Sequence, residues 1–298
     1  MILVAGSANL DFITRVPHIP APGETVLGEK LLTTPGGKGA NQAVACAKAG
    51  GKVAFLGALG KDIFAAPLRE SLVKNGVQDQ TITVDAVTGA AFITVSNNGE
   101  NAIAVASGAN LHLDPAHLGS LQGFTHLVLQ LEIRLETVMA YAQAAKRAGL
   151  KVILNAAPAQ ALPDGLLELL DILIVNENEL GSLAGPGPLE KQLETISLRM
   201  TGTVLVTLGA QGSVAFTSGE WLEQRAHTVA VRDTTGAGDT YVGVLVAALC
   251  NQFTLKQAMR LASVGSALAC TREGAQPSMP TRAEIQSEIQ SEIQRVIA

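Results

Sequence analysis

Apolar residues along this chain fall into short uninterrupted bursts, separated by longer segments in which they recur every three or four positions. Val53-Ala-Phe-Leu56, Leu127-Val-Leu-Gln-Leu131, Val152-Ile-Leu154, Ile172-Leu-Ile-Val175 and Val204-Leu-Val206 are bursts of strand length. A strand apolar on both faces belongs in a sheet covered on both sides, and most of these bursts are followed by a helical pattern. The expectation is an α/β fold: a doubly wound, mostly parallel sheet flanked by helices, built as one domain over residues 1–298. Met1-Ile-Leu-Val-Ala5 adds a buried strand ending at Gly6-Ser7, and Tyr241 to Cys250 reads as a buried helix.

One stretch breaks the alternation. Thr88 to Val95 and Ala102 to Ala106 are strand-like runs on either side of Asn97-Asn98-Gly99, and Asn-Gly is the pair that tight hairpin turns prefer. With Thr25 to Thr34 they predict a small three-stranded sheet outside the main one, drawn from about 12–34 and 88–106. At the other end, Glu-Ile-Gln-Ser repeats from Glu284 to Gln294 and places Ile285, Ile289 and Ile293 on one drifting helical stripe. That pattern predicts an amphipathic helix docked on the domain.

Composition narrows the class. The chain has 298 residues, 47% of them apolar but only 3% aromatic, so a large core must be filled by small aliphatic side chains. A net charge of −5 argues against a nucleic-acid surface and leaves a small molecule as the expected partner. Cys46, Cys250 and Cys270 are widely spaced among apolar neighbours and read as reduced core thiols. With no export signal at Met1, they point to the cytoplasm. The longest apolar run, Val242 to Cys250, is too short to span a bilayer, and the five histidines lack metal-ligand spacing.

The chemistry is concentrated in Asp233-Thr-Thr-Gly-Ala-Gly-Asp239, directly before the Tyr241 helix. Gly236 and Gly238 let a ligand approach the backbone, the unpaired N–H groups of a helix N-terminus favour a phosphoryl group, and Asp239 stands beside it. An Asp in a first turn is ordinarily a cap. Two glycines and two threonines in the same turn cost conformational entropy that a cap does not require, so Asp239 reads as a base. Two other glycine motifs fail. A P-loop would need glycine where Leu32 stands before Gly37-Lys38, and a dinucleotide fingerprint would need glycine at Tyr241.

A second constellation lies near the N-terminus. Asn9 and Asp11 are two apart and face one side if the chain stays extended. Pro35-Gly36-Gly37-Lys38-Gly39-Ala40-Asn41 leads into a helix face of Ala40, Ala43, Val44 and Ala47, which puts Asn41 in its first turn. Each has a plain structural explanation: Asn9 and Asp11 as turn formers, Lys38 as a solvated charge, Asn41 as a cap. Together they offer the mixed donors and acceptors that several sugar hydroxyls demand.

Gly6-Ser-Ala-Asn9-Leu-Asp11, Gly36-Gly-Lys-Gly-Ala-Asn41, Asn176-Glu-Asn-Glu179, Thr207-Leu-Gly209, Asp233-Thr-Thr-Gly-Ala-Gly-Asp239 and Thr271-Arg-Glu-Gly-Ala-Gln-Pro-Ser278 stand in the order that resembles the PfkB-type sugar kinases. The resemblance implies ATP-dependent phosphorylation of a primary sugar hydroxyl, D-ribose giving D-ribose 5-phosphate. It implies that Asn9, Asp11, Gly37, Lys38, Asn41 and Glu132 hold the sugar, with Asp239 as base and Gly236, Ala237 and Gly238 as anion hole. Asn176 and Glu179 resemble the pair that organises the phosphates and Mg²⁺. Thr207, Leu208, Gly209, Ala210, Gln211 and Gly212, with Gly238 and Ser263, would line the nucleotide. Asp233, Thr235, Ala269, Arg272, Gly274 and Ser278 would form the loop for an activating K⁺. The small sheet would be a lid over the sugar and the contact of a homodimer.

The alternatives are a kinase for deoxyribose or 2-keto-3-deoxygluconate, or a sugar sensor without catalysis. Retention of Asp239 in its glycine turn argues against the sensor, which needs a sugar clamp but no base.

Overall fold

The computed structural model describes residues 1–98 and 100–297. Among them, nine strands form the main sheet in the order Glu220–Gln224, Ser213–Thr217, Thr203–Thr207, Ile172–Asn176, Lys151–Asn155, His126–Leu129, Ile2–Ala5, Val53–Leu56, Gln78–Asp79. The strands from Thr203–Thr207 onward run parallel, and the two before it are added antiparallel.

The apolar bursts arise because both faces are buried. Ile2 and Val4 join one core with Val53, Phe55 and Ile153, whereas Leu3 and Ala5 join a second with Ala54, Leu56 and Leu154. Successive residues of a strand point to opposite faces, so a strand in such a sheet has no polar side to show. Helices Lys38–Lys48, Ala237–Cys250 and Leu255–Cys270 cover the first face, while Leu135–Arg147, Glu177–Ala184 and Leu189–Ser197 cover the second.

The scarcity of aromatics has a local counterpart. A Cβ on Gly243 would stand 2.5 Å from the Cβ of Ala45, so helices Lys38–Lys48 and Ala237–Cys250 touch through a glycine and an alanine. One turn before that contact lie Asn41 and Asp239, and the close crossing brings these two side chains together.

The small sheet has four strands, in the order Leu31–Gly36, Asn9–Val16, Gly89–Ser96, Asn101–Ala106. Its central pair is parallel and its outer pairs are antiparallel. The expected three strands, with Thr25 to Thr34 as one of them, are corrected on two points. Asn9–Val16 stays extended past the first strand and enters this sheet, and pairing with it begins only at Leu31. Residues 25–30 form no strand. There the backbone turns back, Glu29 N donating to Arg15 O at 3.1 Å. The Asn98-Gly99 turn falls partly on Gly99, outside the described residues. On its near side Asn98 Oδ1 accepts from Glu100 N and the Ser96 hydroxyl.

Helix Arg282–Ile297 carries the C-terminal repeat, with Ile285 buried and Ile289 half-buried against the first core. The third isoleucine of the stripe, Ile293, lies outside the described side chains. The thiols differ from expectation: Cys46 is buried, but Cys250 and Cys270 are half-buried, because they close helices at the edge of the core. Among the described residues no helix is long and apolar enough to cross a membrane.

Candidate active site

Helix Ala237–Cys250 begins at Gly236, whose φ of 73° is left-handed and whose Cα faces Ala275 so closely that a Cβ would lie 3.0 Å from it. Glycine satisfies both demands. No side chain caps this end. Ala237 N turns back into the loop and donates to Thr234 O at 3.1 Å, so of the three residues expected in the anion hole Ala237 has its N–H already engaged.

Asp239 follows in the first turn and is buried. Asn41 Nδ2 donates to its Oδ2 at 2.9 Å, and Gln42 Nε2 donates to its Oδ1 at 3.0 Å. Gln42 in turn donates to Asn155 Oδ1 at 2.9 Å and accepts from Gln130 Nε2 at 2.7 Å. The motif-based expectation had no place for Gln42, Asn155 or Gln130. A signal existed, since Gln42 stands among small apolar residues on a buried helix face and Gln130 interrupts an apolar burst.

Asn9 and Asp11 are both buried at the root of the small sheet. Asn9 Oδ1 accepts from Asn110 Nδ2 at 2.7 Å, and Asn110 Oδ1 accepts from Ala8 N at 2.9 Å, which makes Asn110 a second positioning residue that the motifs did not contain. Glu132 caps the Lys38–Lys48 helix from outside, its Oε2 accepting from Lys38 N at 3.2 Å and from the Ser7 hydroxyl at 2.5 Å. Gly37 stands at the N-cap of that helix.

Asp239, Glu132 and Glu179 crowd negative charge around Lys38, and Glu132 and Asp239 also face Asp11. Burial, then the charges of Glu132 and Asp239, push the Asp11 carboxyl up to about 7. Burial works against the Lys38 ammonium, but Asp239, Glu132 and Glu179 outweigh it and its pKa rises. Burial raises Glu179 as well, against the opposing pull of the Asn176 N–H and Lys38.

Two cavities meet here. One, of about 150 Å³, is lined by Lys38, Asn155, Asn176, Glu179 and Asp239. Asn176 and Glu179 form a reciprocal cap on helix Glu177–Ala184, each side chain accepting from the other's backbone N–H at 2.8 Å. The other cavity, of about 390 Å³, is lined by Thr207, Gly209, Ala210, Gly212, Gly238 and Ser263, together with the segment Ala226–Val229. Thr207 and Gly238 belong to both walls.

Leu208 and Gln211 were expected along this wall and are absent from it. Leu208 packs against the second core and Gln211 is exposed to solvent. Ser263 is present, but its hydroxyl is occupied: it accepts from His227 N at 3.1 Å and donates to Arg225 O at 3.2 Å. Cys270, expected in the core, lines the same cavity.

The loop residues expected around K⁺ come together around Asp233. Its Oδ1 accepts from the Thr235 hydroxyl and N–H at 2.7 and 2.9 Å, and its Oδ2 accepts from Gly274 N at 2.8 Å. Burial raises this carboxyl, but those donors outweigh it and hold the pKa below the ordinary range. The Arg272 guanidinium donates to Glu284 Oε1 at 2.5 Å and to Ser278 O at 3.5 Å, so this residue has only its carbonyl to offer a cation. Ser278 Oγ donates to Ala275 O, and Ala269 O accepts from Arg272 N.

The model of the pfkB family carbohydrate kinases matches residues 1–282. The chain belongs to this family. It is 38% identical to the ribokinase of Haemophilus influenzae over 294 residues, covering 95% of this chain and 96% of that one. Among solved structures, the ribokinase of Thermotoga maritima superposes with a TM-score of 0.91 at 34% identity, over 97% of this chain and 99% of that chain. The Arabidopsis thaliana ribokinase complexed with ribose and ATP superposes with a TM-score of 0.88 at 31% identity, over 96% and 97%. In this pfkB family carbohydrate kinase, Asp239 lines the smaller cavity next to Gly238, which lines both.

Proposed function

We propose that this chain is a ribokinase, transferring the terminal phosphoryl group of ATP to the primary hydroxyl of D-ribose to give D-ribose 5-phosphate. The observation that carries the proposal is the Asp239 carboxylate, buried, lining the smaller cavity beside Gly238, which lines both, and held by two amide donors. A carboxylate fixed in this way accepts a proton from a hydroxyl in line with a phosphoryl group arriving from the larger cavity. Asn9, Asp11, Lys38 and Asn41 orient the sugar, with Gly37 and Glu132 shaping its floor. The uncapped N-terminus at Gly236 and Gly238 stabilises charge on the transferring group. Thr207, Gly209, Ala210, Gly212 and Gly238 hold ATP. The relatives named above, one of them complexed with ribose and ATP, support this assignment.

Two cations belong to the reading. The oxygen-rich pair Asn176 and Glu179 suits Mg²⁺, which supplies positive charge for the phosphates when bound. Asp233, its carboxyl held below the ordinary range by Thr235 and the Gly274 N–H, suits a large monovalent ion such as K⁺ that orders the turn before Asp239. The exposed apolar residues of the small sheet, Leu31, Phe92, Ile103 and Val105, support its covering by a second copy, a homodimer through the lid. A cytoplasmic location completes the proposal.

The test is ADP release measured across pentoses, hexoses and nucleosides. Ribose should give the highest kcat/KM, since Asn9, Asp11, Lys38, Asn41 and Glu132 include no aromatic ring on which a purine could stack. A higher value for a nucleoside than for any free pentose would overturn the assignment.

A further inference from the structure

The C-terminal repeat does more than dock a helix. Its period of four places not only isoleucines but also Glu284, Glu288 and Glu292 on one stripe. Ile285 and Ile289 face the core, and the glutamates reach the loops beside it. Glu284 binds Arg272. Glu288 Oε1 lies 3.2 Å from His227 Nε2, and Glu292 Oε2 lies 4.0 Å from His227 Nδ1 and 3.4 Å from Arg260.

His227 is the residue that gives this stripe a consequence. It lines the 390 Å³ cavity, in the irregular segment Ala226–Val231 that forms one wall. Its side chain is 10% exposed. Its backbone N–H is fixed by Ser263 Oγ, whose own proton goes to Arg225 O. A wall without helix or strand ladders has few means of keeping its shape. Here the ring is gripped from behind by two carboxylates one helical turn apart, and the backbone is gripped from the side by a serine.

We propose that the C-terminal repeat sets the shape of the nucleotide cavity, with Glu288 and Glu292 as positioning residues that act through His227. This rests on the reading of that cavity as the ATP site. Asp239, Lys38 and the sugar residues lie outside this linkage, so the effect should appear in nucleotide affinity and leave the chemical step alone.

The test is a double-mutant cycle on the full chain, with Glu288→Gln, His227→Ala and their combination. KM for ATP, KM for ribose and kcat are measured, together with ADP affinity by calorimetry and thermal midpoints. Each single variant should raise KM for ATP and weaken ADP about 3- to 10-fold, with kcat and KM for ribose within twofold. The combination should be no worse than His227→Ala alone. Glu292→Gln gives a second, smaller effect of the same kind, and Glu288→Asp should restore part of the lost affinity. Additive losses, equal losses in KM for both substrates, or an unchanged ADP affinity in a folded Glu288→Gln protein would each overturn the proposal. Failure of the unaltered chain to bind ADP would instead sink the nucleotide assignment, and this proposal with it.

Discussion

Sugar affinity should rise with pH through the neutral range, and Asp11 should be the cause. Its carboxyl is buried beside Glu132 and Asp239 and is pushed up to about 7. A charged carboxylate accepts hydroxyl protons from a sugar better than the neutral acid does, so affinity follows the ionised fraction. With a midpoint of about 7, that fraction is roughly 0.1 at pH 6 and roughly 0.9 at pH 8, and the apparent dissociation constant should fall up to about tenfold between them. Calorimetric titration of D-ribose without nucleotide isolates this step from catalysis. Asp11→Asn should bind more weakly and with a flat pH dependence.

Stability should move the other way. The folded pKa lies above the unfolded one, so Asp11 favours the folded chain below about pH 4, and that contribution is lost as pH rises through about 7. A rise from 3.8 to about 7 corresponds to at most on the order of 4 kcal/mol, shared with Glu132 and Asp239. Urea unfolding of the free protein at pH 5 and pH 8 measures it against Asp11→Asn. A ribose affinity that does not change with pH, or a change that persists in Asp11→Asn, refutes the reasoning.

Four further outcomes are expected. Asp239→Asn keeps its size but cannot take the hydroxyl proton, so kcat should fall about 10²- to 10⁴-fold with smaller changes in ribose and ATP affinity; near-normal turnover by folded protein would remove the base. Gln42→Ala strands Gln130 Nε2 and Asn155 Oδ1 and takes one donor from Asp239, at about 1–3 kcal/mol for each buried group left unpaired, readable as a lower urea midpoint with reduced kcat. Replacing K⁺ by an inert organic cation at equal ionic strength should lower the rate; equal rates would discard the Asp233 loop as a cation site. Light scattering at high concentration should give a dimer, and Phe92→Asp with Ile103→Asp a monomer.

The sequence made the main sheet legible because both of its faces are covered: Ile2 and Val4 turn to one core, Leu3 and Ala5 to the other, so no strand shows polar alternation. The glycine turn at Asp239 was legible because its chemistry is local. Pairings across long separations were not. Gln42 meets Asp239 at a separation of 197 residues and Asn110 meets Asn9 at 101, and neither leaves a mark in its own neighbourhood beyond a polar residue in an apolar setting. The fourth lid strand was hidden for a related reason. Asn9-Leu10-Asp11 carries the pattern of a strand end bearing ligands, and only its pairing with Leu31–Gly36 and Gly89–Ser96 makes it the start of another strand.

The two helices that build the site explain how one pocket can treat a sugar and a phosphate differently. Helices Lys38–Lys48 and Ala237–Cys250 cross at Ala45 and Gly243 and bring both of their N-termini to the same cleft. Each N-terminus carries positive partial charge. The first is already answered, because Glu132 accepts from Lys38 N, and what remains there is a set of side chains suited to neutral hydroxyls. The second has no side-chain cap, and Gly238 leaves the backbone open there. An anion therefore has one favourable end and not two. Asp239, in the first turn of the open helix but held by Asn41 and Gln42 of the closed one, sits on the line between them. Its position depends on the distance between the helices, and that distance is set by a contact too tight for any residue larger than glycine at 243. The position of the proposed base and the packing of the core are thus fixed by the same contact.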